Sequence, residues 1–377
     1  MSTARGARRR FTRSEEPTSM GWMSSAASSV LIAGAPRPGR GWCVAGLVIA
    51  TVLLLAVAPA LAQGDPQFFR IGTGVVDSPS FAVAGIVAAG LSNPPGARPC
   101  DRGGSCGVPG LIALAQAIGS SGDAIELLET RQIDAIVIPG GEAYRAQTAK
   151  RPDSAKTDSA KPRDPLRTVA TLFIEAVHVV VRDGARFETV DDLKRRTVAA
   201  ATDDPTAVPF VQLTMGQLGF EAGRKTSPLS VQAGLQRLAD SQIDGLVLVA
   251  TTPLPALAEL AHRLPIRLLA VPAAKTPPPY MTDVRLPPGS YAGSEGIDLP
   301  GQPTQLFVAA SADPDRVEAI TRALWNEATQ KLLAAGPPVA RTVKLDRALA
   351  GVAVPLHPGA ARFYREAGIL NNTPVGQ

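Results

Sequence analysis

The chain has 377 residues, of which 45% are hydrophobic, 19% charged and 5% aromatic. That length suits about two domains with a sizeable core, and 35 Gly with 34 Pro are too few for a collagenous or globally disordered chain. The formal charge of +5 hints at nucleic acid, but the first 62 residues hold seven Arg, two Glu and no Lys, leaving 31 basic and 31 acidic side chains in residues 63–377. The mature chain is neutral, so a nucleic-acid partner loses its support.

Residues 44–62 form an uncharged apolar run preceded by Arg37 and Arg40 and ending Ala58-Pro59-Ala60-Leu61-Ala62. Positive flank, apolar segment and Ala-x-Ala site read as a secretory signal peptide cut between Ala62 and Gln63, which places the mature protein in the periplasm. The run nearly reaches the roughly 20 residues that span a bilayer, so an uncleaved anchor is the alternative; Pro59 before Ala-x-Ala suits the peptidase better. The segment ahead of the run is long for a signal peptide, pointing to Met20 or Met23 as the start. Arg8-Arg9-Arg10-Phe11 resembles a twin-arginine signal only superficially, being far from the apolar run. Cys43 leaves with the leader. In an oxidising compartment the remaining Cys100 and Cys106 are expected to pair, and so short a loop adds roughly 2–2.5 kcal/mol in the chain-entropy model.

Along the mature chain, Phe68-Phe69-Arg70-Ile71-Gly72-Thr73-Gly74 reads as a strand entering a turn, and residues 78–91 have helical apolar spacing. Residues 93–110 are rich in Pro and Gly and contain the cysteine loop. A strand at 111–115, a helix at 121–130 and a strand at 133–138 follow. Residues 148–165, with Asp153-Ser154-Ala155-Lys156 repeated as Asp158-Ser159-Ala160-Lys161, have no apolar periodicity and read as a solvated mobile loop. Residues 167–182 hold two β-like runs around Phe173-Ile174-Glu175. The pattern then gives helix 189–194, strand 197–201, helices 208–218 and 231–239, strand 243–249, helix 254–263 and strand 266–271. Residues 275–303 are Pro-rich and irregular; a strand at 305–310, one long helix at 313–334 carrying Trp325 and a closing helix at 358–367 complete the chain. Alternating strands and helices imply parallel sheets covered by helices. One echo stands out: Gln132-Ile133-Asp134 and Gln242-Ile243-Asp244 each follow a helix and open an apolar strand, either as two units of one architecture or as common α/β syntax.

Catalytic motifs do not assemble. Gly103-Gly104-Ser105-Cys106-Gly107 fits the Gly-x-Ser-x-Gly pattern, but the strand and helix that a nucleophile elbow needs are missing around it. Gly72-x-Gly74 lacks the third glycine of a dinucleotide fingerprint. His178 sits among β-branched residues as a sheet histidine, His262 ends a helix, and His357 precedes Pro358 at a helix start. No nucleophile, base and orienter come together, and no cofactor or metal site is indicated.

Several segments in order resemble the TAXI family of solute-binding subunits of tripartite ATP-independent periplasmic (TRAP) transporters. They are Pro355-Leu356-His357-Pro358-Gly359-Ala360-Ala361-Arg362-Phe363-Tyr364-Arg365-Glu366-Ala367-Gly368, Ser92-Asn93-Pro94-Pro95-Gly96 with the cysteine loop, Ala143-Tyr144, Glu175-x-x-His178, Asp192-Leu193-Lys194 and Ala323-Leu324-Trp325. The resemblance implies an α/β fold of the periplasmic-binding-protein type II kind: two lobes joined by crossing strands, residues 63–180 with 304–377 and residues 181–303. It also implies capture of a small organic solute, an organic acid or an amino-acid-like molecule, for delivery to a TRAP-type membrane permease.

The ligand turns depart from the family. Gly74-Val75-Val76-Asp77-Ser78-Pro79, Pro139-Gly140-Gly141-Glu142 and Asp204-Pro205-Thr206-Ala207 replace the Gly- and Ser/Thr-rich turns of the family pattern. Pro79 and Pro205 remove amide donors, while Asp77, Asp203 and Asp204 add negative charge where an anion would dock. The residues expected at the cleft are Thr73, Gly74, Ser78, Ser80, Thr202 and Thr206 as hydrogen-bonding or turn positions, Tyr144 as a wall, and Glu175 for a ligand amine or to order the site. A sensor or interaction module on a degenerate scaffold is the alternative from another class, and a hydrolase using Ser105 is the third.

Overall fold

The computed structural model describes residues 65–148, 164–220, 227–274 and 276–370. The leader with its cleavage point and all but the edges of the repeat-bearing loop lie outside them. Among the described residues no helix is long and apolar enough to cross a membrane.

The strands are β1 (Gln67–Thr73), the short pair β2 (Ser92–Asn93) and β3 (Val108–Pro109), β4 (Leu111–Ala117), β5 (Ala135–Pro139), β6 (Leu166–Arg182), β7 (Val198–Ala201), β8 (Gly245–Thr251), β9 (Ile266–Leu269), β10 (Thr282–Leu286) and β11 (Ile297–Ala309). Between them run α1 (Pro79–Leu91), α2 (Ser121–Glu129), α3 (Gly140–Thr148), α4 (Val208–Gln217), α5 (Val231–Ala239) and α6 (Pro255–Arg263). After β11 come α7 (Pro314–Trp325), α8 (Glu327–Ala335), the single turn α9 (Pro338–Arg341) and α10 (Pro358–Glu366).

The main sheet has the order β4-β1-β5-β11-β6-β8-β7, with β10 added to β11 and β9 to β6. Its ends are parallel, β1 with β4 and β5, β7 with β8, whereas β6 and β11 run antiparallel to each other and to their neighbours. Helices cover both faces at both ends. On β5, Ala135 and Val137 enter one apolar cluster while Ile136 and Ile138 enter another; on β8, Leu246 and Leu248 divide from Val247 and Val249 in the same way. Successive strand residues point to opposite faces, so a run buried on both sides must be apolar throughout. That is why 135–138 and 246–249 carry no polar residue.

Several elements differ from the sequence reading, among them the strand β10 inside the stretch read as irregular and a short 3-10 turn at Val190–Leu193 where a helix was expected. The two runs in residues 167–182 are one 17-residue strand, β6, because the first part pairs with β11 and the last with β8. β11 starts at Ile297, inside the stretch read as irregular, and tolerates Pro303 next to a register irregularity between Thr304 and Gln305. The single helix expected at 313–334 is two. Asn326 is extended, with ψ 161°, and its side chain accepts from Thr329 N at 2.8 Å to cap α8. Its Nδ2 also donates to Cys106 O at 2.9 Å, fixing the loop closed by the Cys100–Cys106 disulfide.

The C-terminal segment that carries the family resemblance is a packing device. His357 caps α10, accepting from Gly359 N at 3.2 Å, and its other ring nitrogen lies 3.1 Å from Ala312 O. Tyr364 donates to Val169 O on β6 and accepts from Trp325 Nε1, both at 3.0 Å, so α7 and α10 are locked to the sheet.

The Gln-Ile-Asp echo is structural. Arg131 and Ser241 both take left-handed conformations, φ 58° and 59°, after α2 and α5. Asp134 then accepts from Arg70 N at 2.8 Å and donates its own N–H to Arg70 O; Asp244 does the same with Thr197, at 3.0 Å. Each aspartate thus pins the neighbouring parallel strand, β1 or the approach to β7, in register. Replacing Asp134 or Asp244 by Ala is expected to cost about 1 kcal/mol each, since both sites are partly solvated. Urea unfolding midpoints of the two variants check this.

Candidate functional site

The registers bring the strand ends to one place. Thr304 on β11 lies opposite Pro139, the last residue of β5, and opposite Phe173 on β6. Gln302 lies opposite Glu175, and Glu175 lies opposite Thr251, the last residue of β8. The carboxyl ends of the parallel strands in both halves therefore point at the middle of β6 and β11. Open α/β sheets bind ligands at such carboxyl ends, where the strand order changes direction.

The turns after β1 and β7 meet here. Ser78 caps α1, its Oγ accepting from Phe81 N at 3.2 Å and donating to Val75 O at 2.7 Å. Ser78 Oγ is 3.0 Å from Ser80 Oγ, and Ser80 Oγ donates to Asp204 Oδ2 at 3.1 Å. Asp204 Oδ1 accepts from Thr206 N at 2.8 Å and Thr206 Oγ1 at 2.7 Å, while Asp204 N donates to Thr202 Oγ1 at 3.2 Å. Gly74 has to be glycine: a Cβ there would lie 2.7 Å from Ser80 Oγ, 2.8 Å from Ser78 Oγ and 3.5 Å from Asp204 Oδ1.

Beside this satisfied network lies an unsatisfied one. Thr73 Oγ1, Glu175 Oε2, Thr304 Oγ1, Gln305 Oε1 and both polar atoms of the Gln302 side chain are buried without a hydrogen-bond partner. Each such group costs about 1–3 kcal/mol, and native proteins rarely leave so many together. Gly140 and Gly141, which open α3, let the chain pass close: a Cβ on Gly141 would sit 2.4 Å from Gln302 Oε1 and 2.8 Å from the Tyr280 ring, and one on Gly140 would sit 2.7 Å from Gln305 Oε1. Burial, and secondarily the negative charge of Asp204, holds the Glu175 carboxyl well above its ordinary pKa.

Seven of the expected residues, Thr73, Gly74, Ser78, Ser80, Glu175, Thr202 and Thr206, thus lie on the two turns and the central strand of one region. Tyr144 stands apart from them. Its ring packs on Tyr280 at 5.7 Å between centroids, and it is Tyr280, buried against Gly141 and Gln302, that walls this region. Arg145 donates to Tyr280 Oη at 3.3 Å and pairs with Glu142. Sequence reasoning also passed over Gln302, Thr304 and Tyr280. The polar run Gln302-Pro303-Thr304-Gln305 at the entry to an apolar strand was the available signal.

The three aspartates have different roles. Asp77 is exposed in the turn, and Asp203 turns away to accept from Val231 N at 2.9 Å. Only Asp204 faces the cluster. The histidines behave as their surroundings suggest. His178 is buried, with Nδ1 3.1 Å from Ala176 O and Nε2 3.1 Å from Tyr291 Oη; desolvation lowers its pKa to about 4, so it is neutral. Ser105 Oγ donates to Ser92 O in the disulfide loop, and neither buried histidine reaches it. A cavity of about 770 Å³ lies under α4, lined by Val177, Lys194, Thr214, Leu218 and Pro278, and it borders chain outside the described residues.

The raised Glu175 pKa has a signed consequence for stability. Below the ordinary value of 4.5 both folded and unfolded chains hold the proton. As pH rises above it the unfolded chain ionises while the folded chain does not, so stability falls until the raised folded value is passed. Glu175→Gln removes this loss. The variant is expected to gain in melting temperature over the native chain progressively from pH 4.5 upward, and thermal unfolding from pH 4 to 8 measures it.

Three solved structures illustrate what the chain is similar to. The arginine-, lysine-, histidine-binding protein ArtJ from Geobacillus stearothermophilus is 11% identical over 73% of this chain and 99% of its own, with a TM-score of 0.38. The aliphatic sulphonate binding protein SsuA from Escherichia coli is 14% identical over 73% and 77%, also at 0.38. XAC2383 from Xanthomonas citri, bound to chloride, is 12% identical over 80% and 97%, at 0.40. At these identities and scores no residue role passes from them to this chain. The profile of the NMT1-like family matches residues 109–368, more than half of the sequence, and the chain belongs to that family.

Proposed function

We propose that this protein is an exported solute-binding protein, and that its solute sits where the carboxyl ends of β1, β5, β7 and β8 converge on β6 and β11. One observation carries the reading: a group of buried polar atoms without partners, Thr73 Oγ1, Glu175 Oε2, Thr304 Oγ1 and the whole Gln302 amide, lies at that convergence. A solute that supplied those hydrogen bonds would recover several of the desolvation costs at once. The two halves act as lobes, residues 63–180 with 304–377 and residues 181–303, with β6 and β11 crossing between them. Gly74, Ser78 and Ser80 on one turn and Thr202, Asp204 and Thr206 on the other close over the solute, and the Ser80–Asp204 hydrogen bond is their contact.

Export rests on the leader, whose apolar run ends in Ala60-Leu61-Ala62. The neighbours named as substrate-binding proteins support a small, soluble cargo such as an amino acid or a sulfonate. The order of the TAXI-like segments supports delivery to TRAP-type permease subunits in the membrane. The site's chemistry is binding: its hydroxyls and amide are placed to hold a solute, with no histidine bonded to them.

Thermal unfolding against a panel of amino acids, amines, dicarboxylates, 2-oxo acids, sulfonates and sugars tests this. A solute at a hundred times its dissociation constant adds ~2.7 kcal/mol and moves the midpoint by several degrees. The Gly141→Ala variant, whose added methyl displaces Gln302 and Tyr280, is expected to lose that shift with its own circular dichroism unchanged. An equal shift in the variant would place the solute elsewhere.

A further inference from the structure

The proposed site has a charge balance that narrows its solute. Glu175 is 1% exposed and Asp204 2% exposed, and neither forms an ion pair with any described basic residue. Asp204 is held by three neutral donors, Ser80 Oγ, Thr206 N and Thr206 Oγ1. Glu175 Oε2 has none. Arg145, the cation on α3, is committed to Glu142 and to the Tyr280 hydroxyl. Two buried carboxyl groups, with no countercharge among the described residues, favour a positive group between them.

The neutral atoms describe the rest of the solute. Gln302 lies directly across the ladder from Glu175, so their Cβ atoms are roughly 4.5–5.5 Å apart on one face of the sheet. Its amide offers one unused acceptor and two unused donor hydrogens, and Thr304 and Thr73 offer free hydroxyls. A solute that uses them has a hydrogen-bonding group within a few bonds of its cation. A dicarboxylate would meet Asp204 with like charge and a buried Glu175 that has no cation to pair with, and is disfavoured.

We infer that the site takes a small organic cation, a primary amine or guanidinium bearing a neighbouring polar group, with Glu175 and Asp204 as its countercharges and Gln302 as the flanking amide. This rests on the solute-binding reading above and names the class of its solute. Charge selection then comes from the turn after β7 and the middle of β6, and hydrogen-bond selection from β11.

Isothermal titration of the purified full chain at one pH, with ethanolamine, putrescine and agmatine against succinate, 2-oxoglutarate and ribose, is the experiment. At least one amine is expected to bind, with the anions and the sugar about 100-fold weaker. Glu175→Gln and Asp204→Asn should each weaken the amine by ~100-fold, each variant first shown to be folded by circular dichroism. If succinate, 2-oxoglutarate or ribose binds as tightly as the amines, or if both variants keep native amine affinity, the charge assignment is overturned while the protein remains a solute binder. If none of the six binds, and the wider thermal panel is also silent, both readings fall together.

Discussion

Two long antiparallel strands hold the architecture together. β6 pairs with β11 over its first part and with β8 and β9 over its last, so a single backbone ladder runs from one half of the protein to the other. Everything else hangs from that ladder: β5 and β1 on one side, β8 and β7 on the other, and the helices that bury both faces. Because β5 and β8 are antiparallel to the strands they join, their carboxyl ends arrive at the same central level from opposite directions. The polar cluster at Glu175 and Gln302 follows from this pairing.

That placement has an energetic cost. A sheet centre covered on both faces is suited to Val, Ile and Leu, and β8 obeys that rule through residues 246–249. Glu175, Gln302, Thr304 and Gln305 break it where the ladder is least tolerant of unmet hydrogen bonds. Proteins retain such groups where they serve a function, and the surrounding structure compensates. Here the compensation is visible in the locked C-terminal helices, where Tyr364 ties α7 and α10 to β6, and in the paired Asp134 and Asp244 clamps.

The repeat explains why two turns face each other. Each half contains a strand, a polar turn and a helix, then a helix ending in a left-handed residue, an Asp clamp and a second parallel strand. Ser78 and Asp204 occupy related turns, and both accept from amides at the start of the following helical segment. The halves have diverged in chemistry. One turn supplies hydroxyls and the other a carboxylate, so their contact is a hydrogen bond from Ser80 to Asp204.

Much of this was legible in the chain itself. Periodicity set α5 at residues 231–239 and α1 within 78–91, and the Gln-Ile-Asp repeat offered two related units as one of two readings, because these features depend on neighbours a few positions apart. Glu175 and the serines and threonines of the two turns were expected at the cleft from the family resemblance. The start of β11 at Ile297 and the packing of Tyr280 on Tyr144 were not legible, since each depends on residues distant in sequence, and the Asn326 cap on Thr329 was hidden inside continuous helical spacing. The sequence by itself determined an alternating α/β chain with an echoed Gln-Ile-Asp turn, because turn chemistry and burial periodicity are local. Only the tertiary structure decided that Glu175 faces Gln302, that Asp204 reaches Ser80, and that their polar atoms share one buried place, because strand register and the meeting of turns 124 residues apart are fixed by long-range pairing that no local pattern encodes.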